Sequence, residues 1–140
     1  MGHKEICAAG AMLLMATLAA CGNSGFTVKG TLDLTSIDGI QGDGEDAGAS
    51  CHGQSGYDDI DEGAQVVIKD GDSKRIAVGS LGAGTLMTSI TDAETPRCEF
   101  TFKVKDVPDK GSIYTIAIGN RDDYTFKKSE ASSLALSLGN

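Results

Sequence analysis

Carboxylates are the most crowded reactive groups in this chain: Asp43, Glu45, Asp46, Asp58, Asp59, Asp61 and Glu62 all fall between residues 43 and 62. Hard cations such as calcium take about six to eight oxygen ligands, and Asp58, Asp59, Asp61 and Glu62 with nearby glycine carbonyls offer that chemistry. The EF-hand spacing is absent, because Asp38-Gly39-Ile40-Gln41-Gly42-Asp43-Gly44-Glu45-Asp46 lacks the ligand positions and the closing Glu. The stretch therefore reads first as a solvated acidic loop and second as a calcium site. His52 is the only histidine beyond His3, so any Ser–His–Asp or Cys–His machine would have to use it. No Gly-x-Ser-x-Gly elbow accompanies it, and a zinc site of His and Cys ligands is short of donors. Paired carboxylates can hydrolyse glycosides, but that needs an aromatic-lined cleft. With Tyr57, Tyr114, Tyr124, four Phe and no Trp, such a cleft is thinly supplied. The expectation is a non-enzymatic protein, with no catalytic residue, cofactor or resident metal.

The first twenty residues have a different character. Lys4 precedes a run from Ile6 to Ala20 whose one polar residue is Thr17. A transmembrane helix needs about 20 apolar residues, whereas a shorter run suits the apolar core of an export signal. The run closes on Leu18-Ala19-Ala20-Cys21, followed by Gly22-Asn23-Ser24. This pattern resembles the lipobox of bacterial lipoproteins. The resemblance implies cleavage between Ala20 and Cys21, a diacylglyceryl group on the Cys21 thiol, and acylation of the new amine. Several acyl chains hold a protein on a membrane where one is marginal. The bland alternative is an ordinary secretory signal that happens to contain cysteines, as Cys7 illustrates. The expected organisation is a signal peptide over 1–20, a lipidated tether over 21–25, and one domain over 26–140 with an acidic loop at about 35–62. Its expected place is the extracytoplasmic face of a cell membrane.

Cys51 and Cys98 are the cysteines left in the domain, and in an exported protein an isolated pair most simply forms one disulfide. Closing so long a loop contributes roughly 4 kcal/mol in the loop-entropy account. A thiol nucleophile or metal ligand is the alternative, and it needs a thiol kept reduced in an oxidising compartment. Tyr57-Asp58-Asp59-Ile60 combines an aromatic ring, charge and an apolar group. It reads either as a partner-binding patch or as a loop whose Tyr57 and Ile60 tuck back. The net charge of −8 disfavours nucleic acid and anionic membrane surfaces and favours solubility.

Period-two alternation supplies the fold class. Phe26, Val28, Gly30, Leu32 and Leu34 share a face, as do Cys98, Phe100, Phe102 and Val104. Further strands are expected at Gln65–Lys69, with Val66 and Ile68 inward, and at Arg75–Leu81, Tyr114–Ile118, Tyr124–Lys127 and Leu134–Leu138. Asp70-Gly71 and Val107–Gly111 read as turns, Gly82-Ala83-Gly84 as a break, and Ser129 as the cap of a single helical turn. The sum is an all-β protein, a single sandwich of about seven strands with an immunoglobulin-like or prealbumin-like layout. The stretches from Gly63 to Leu81 and Phe100 to Ile116 resemble transthyretin-type and carboxypeptidase-regulatory-like sandwiches. The whole pattern is similar to small actinobacterial lipoproteins of unassigned function, through the loop cysteine before Gly56–Ile60, the Cys98 strand and the Leu-alternating C-terminus.

Together these readings describe a lipid-anchored envelope protein, a binding or structural module. Its binding residues would be Tyr57, Asp58, Asp59, Asp61 and Glu62. Its partners would be the membrane, through Cys21, and an envelope protein or glycan. A calcium-dependent module is the second reading; a lipid carrier and a hydrolase rank below it.

Overall fold

A computed structural model describes residues 25–91 and 95–139. The strands are β1 (Phe26–Thr35), β2 (Ile40–Gly42), β3 (Ser50–Gly53), β4 (Gln65–Lys69), β5 (Arg75–Leu86), β6 (Arg97–Val107), β7 (Ile113–Ile118), β8 (Tyr124–Lys127) and β9 (Leu134–Gly139). The protein is all-β, as the alternation implies, and no helix among the described residues is long and apolar enough to cross a membrane. The expected export segment and Cys21 lie outside the described residues.

The strands form one path of hydrogen-bonded neighbours, β8-β7-β4-β5-β6-β1-β9, with a β2–β3 ribbon joined to β5 through β3. The sheet is mixed, because β9 runs parallel to β1 while the remaining pairs are antiparallel. β5 carries the architecture. Its first part pairs with β4 from Arg75 to Ser80, and its second pairs with β6 from Leu81 to Leu86. The register shifts between Leu81 and Gly84, so the strand bends there and the sheet curls over itself.

Curling brings the apolar faces together. Val28, Leu34, Val66, Ile68, Phe100 and Tyr114 are completely buried. Each such side chain contributes about 1.5–3 kcal/mol relative to exposure. Tyr114 stands between Phe26, 5.2 Å away, and Phe126, 5.8 Å away, so β1 meets β7 and β8 across the core. Its hydroxyl accepts from the Lys110 N–H at 2.7 Å and donates to the Gly111 carbonyl at 3.1 Å. A buried tyrosine thus has its polar tip satisfied by the β6–β7 turn, as burial of a hydroxyl requires.

Several expectations are corrected in detail. Residues 35–62 hold β2 and β3, strands too short and glycine-rich to show alternation, and the count among the described residues becomes nine. The Gly82–Gly84 segment is a bulge inside β5 rather than a break. Val67 is buried beside Val66 and Ile68, because β4 is a central strand flanked by β5 and β7. At the β4–β5 turn the positive φ falls on Ser73 (63°), not on Asp70 or Gly71. Asp70 acts through its carboxylate, which accepts the N–H groups of Asp72 and Lys74 at 2.9 and 3.0 Å. The short helical turn is a 3-10 turn at Lys128–Glu130, begun at Lys127. Glu130, not Ser129, caps it by accepting the Lys127 N–H at 2.9 Å.

Gly30 shows what closing the curl demands. A Cβ at this position would collide with the Leu134 carbonyl oxygen where β9 begins. We predict that Gly30→Ala costs about 1–3 kcal/mol by overpacking. In hydrogen exchange, β9 amides should lose protection before those of β6.

Candidate functional site

The acidic segment is a built platform. In the β2–β3 ribbon Ile40 pairs with Gly53, Gln41 with His52 and Gly42 with Cys51. β3 in turn lies along β5, with Ser50 opposite Thr85 and Cys51 opposite Gly84. Cys51 and Cys98 form the expected disulfide, with Cα atoms 6.0 Å apart, and Cys98 is fully buried. Gly84 makes room for it: a Cβ there would come within 2.8 Å of the Cys98 sulfur and 2.6 Å of the Phe100 ring. The free-thiol alternatives for this pair are thereby set aside.

Hydrogen bonds hold the rest of the segment. Asp43 donates its N–H to Ser50, Gly48 to Leu86, and Ile90 to the Glu45 carbonyl, at 2.8, 2.8 and 2.9 Å. The Gln54 side-chain amide reaches the Asp38 carbonyl at 3.2 Å. Ile60 is fully buried in the core, and its carbonyl accepts the Gly53 N–H at 2.8 Å. Of the two readings of Tyr57–Ile60, the tucked one describes these end residues.

A second latch involves Arg121, in the β7–β8 connection, which the sequence reading did not single out. Its guanidinium pairs with both oxygens of Asp59, Nε at 3.1 Å from Oδ2, and its Nη2 also meets Oδ1. The same Nη2 donates to the Gly56 carbonyl at 2.7 Å, and Cζ stacks 4.9 Å from the Tyr57 ring centroid. The Asn120 N–H adds a bond to Asp59 at 3.0 Å. Burial pushes the Asp59 carboxyl up, but the Arg121 hydrogen bonds and backbone N–H groups outweigh it and hold the group below its ordinary 3.8.

The predicted site residues therefore divide. Tyr57 and Asp59 are occupied with Arg121, whereas Asp58, Asp61 and Glu62 face solvent. Asp43, Glu45 and Asp46 are exposed as well. Local bonds orient two of these carboxylates: Asp61 accepts the Glu62 N–H at 2.7 Å and Asp58 the Gly56 N–H at 3.4 Å. Among the described residues, no three His, Cys, Asp or Glu side chains converge on a point that could hold a metal. His52 is half-buried in β3 rather than in a loop, with Nδ1 2.9 Å from the Gly53 carbonyl oxygen.

A cleft of about 370 Å³ opens where the curl leaves β8 and β9 unpaired with each other. Leu32, Ile116, Tyr124, Leu136 and Leu138 line it, with Arg121 and Asp122 at the side. His52 is not among its lining residues. No family model, curated protein or solved structure matches the chain.

The Asp59–Arg121 latch gives a signed pH test. Because the folded carboxyl titrates below its unfolded value of 3.8, its stabilisation is complete above that pH and fades as pH falls through the folded pKa. Asp59→Asn should cost about 1–3 kcal/mol at pH 7. In denaturant titrations the gap to the unsubstituted protein should close as the pH drops below 3.8.

Proposed function

We propose that this protein is a lipid-anchored module of the cell envelope, tethered through Cys21, which presents the segment 43–62 to a partner without catalysing a reaction. The observation that carries the reading is the contrast within that segment. Its backbone is held by a disulfide, a two-stranded ribbon, the buried Ile60 and the Arg121 latch. Its carboxylates at positions 43, 45, 46, 58, 61 and 62 are nevertheless left to solvent. A purely structural loop has no need of such rigid exposed charge. Preorganisation of this kind removes the ordering cost that a flexible loop would incur on binding. Loops fixed on a β scaffold are common binding surfaces.

The anchor part rests on the likeness of Leu18-Ala19-Ala20-Cys21 to a lipobox. The partner part rests on charge: an acidic, preorganised face suits a basic surface on an envelope protein or an amino-bearing glycan. The calcium reading is the weaker because the exposed acids do not gather around a common centre.

Three measurements test these statements. Cys21→Ser should leave the precursor unprocessed and without acyl chains by intact mass; normal processing and acylation of that variant would remove the anchor. Photo-crosslinking in cells from position 58 should give a discrete adduct that position 78, exposed on β5, does not. Equal patterns at both positions would remove the binding face. Thermal melts in roughly millimolar calcium and in chelator should coincide, whereas a calcium-dependent rise would move the assignment to a cation site.

A further inference from the structure

Charge is sorted along the strands. At one pole β1 starts and β6 ends, Phe26 pairing with Val107. The β4–β5 turn, the β6–β7 turn and the 3-10 turn share that pole, since Lys69 pairs with Thr115 and Ile113 with Lys127. Lys29, Lys103, Lys105, Lys110, Lys127 and Lys128 stand there or next to it. The opposite pole, where β1 ends beside Cys98, carries the acidic platform with Asp33 and Glu99. Carboxylates do occur at the basic pole: Asp109 is paired with Lys128, and Asp70 and Glu130 are turned to backbone N–H groups. Asp72 and Asp106 are exposed there, so the lysines outnumber the acids without excluding them.

One feature at the basic pole runs against stability. Lys29 and Lys103 lie directly opposite each other on adjacent strands and both are exposed. Like charges so placed repel. Lys105 follows on the same face of β6, and among the described residues none of the three makes an ion pair. Beside Lys29 and Lys103 is an open recess of about 470 Å³, with Gly30, Gly82, Ser80 and Thr101 along it and no carboxylate in its lining. Gly25, four residues after Cys21, packs here: a Cβ on it would touch the backbone of Asp106 and Val107 at 2.8 Å.

We infer that this pole is a docking surface for anionic lipid headgroups, laid against the bilayer to which Cys21 tethers the domain. The inference rests on the anchoring reading for the surface it meets. Net charge alone points the other way, yet net charge is not what a nearby surface feels. β6 is 11 residues long, about 35 Å of extended strand. The far end of β6 therefore lies several screening lengths from headgroups at its near end, the screening length being about 8 Å at physiological salt. On that far side the acids nearest the lysines, Asp33 and Glu99, face Arg97 at 2.8 and 4.0 Å. Lysines meet lipid phosphates, the recess offers hydroxyls and open space beside them, and the acidic platform is carried away from the surface.

The test uses protein purified from membranes of cells expressing the full chain, reconstituted in phosphatidylcholine vesicles with or without phosphatidylglycerol. A water-soluble amine-acylating reagent is applied and each lysine is read by mass spectrometry. Acylation of Lys29, Lys103 and Lys105 should fall several-fold when phosphatidylglycerol is present and return at high salt. Each lysine at an anionic surface is expected to strengthen contact about fivefold. Lys110 and Lys127, exposed at the same pole, should be protected alongside these three, and the combined variant Lys29→Glu, Lys103→Glu and Lys105→Glu, all exposed positions, should abolish that protection. Equal acylation in both vesicle types overturns the docking surface. The anchor is judged separately, by flotation with pure phosphatidylcholine vesicles. If that fails, salt-sensitive flotation with phosphatidylglycerol vesicles still supports docking, and flotation with neither overturns it.

Discussion

β5 has to satisfy two neighbours at once. Its first half completes the ladder of β4, its second half that of β6, and between Leu81 and Gly84 the register slips so that the strand can turn. Without that slip the strands would continue as a flat ribbon with one wet and one greasy face. With it, Phe26 on β1 reaches Tyr114 on β7 and the apolar faces close on each other. The same bulge ends at Gly84, the residue whose missing side chain leaves space for the disulfide. Curling the sheet and fixing the acidic platform are therefore consequences of one local irregularity.

The platform is held by bonds of different kinds at different points. The disulfide ties it covalently to β6, the β2–β3 ribbon ties it to β5, and Arg121 ties Asp59 to the connection between β7 and β8. These attachments come from strands on both sides of the curl. A displacement of either half is thus felt at the acids, which are fixed relative to the whole domain rather than to one edge.

Much of the fold was legible from the chain. Alternation located β1, β6, β7 and β9 because each has one face in the core and one in water, so the pattern has period two. β4 defeated the rule at Val67, since a central strand can be covered on both sides. β2 and β3 were missed because three or four residues with glycines carry too little pattern. The cysteine pair was legible from its count, two cysteines beyond the apolar N-terminal run and its closing Cys21. The Arg121 latch was not, because nothing local marks an arginine in a polar turn as the partner of an aspartate 62 positions earlier. The charge polarity was hidden for a related reason: it exists only once register sets Lys29 beside Lys103 and gathers distant turns at one pole.

The parallel pairing of β9 with β1 has a consequence in time. Gly30 lies beside Leu134 and Thr35 beside Gly139, the first described strand against the last described one. Contacts between such distant segments form late, because a long loop must be closed before any of them is rewarded. Until residues 134–139 dock, one edge of β1 has no partner, and the buried faces of Leu134 and Leu136 are missing from the core. Docking of residues 134–139 is thus the step that completes both the ladder of β1 and the core beneath it.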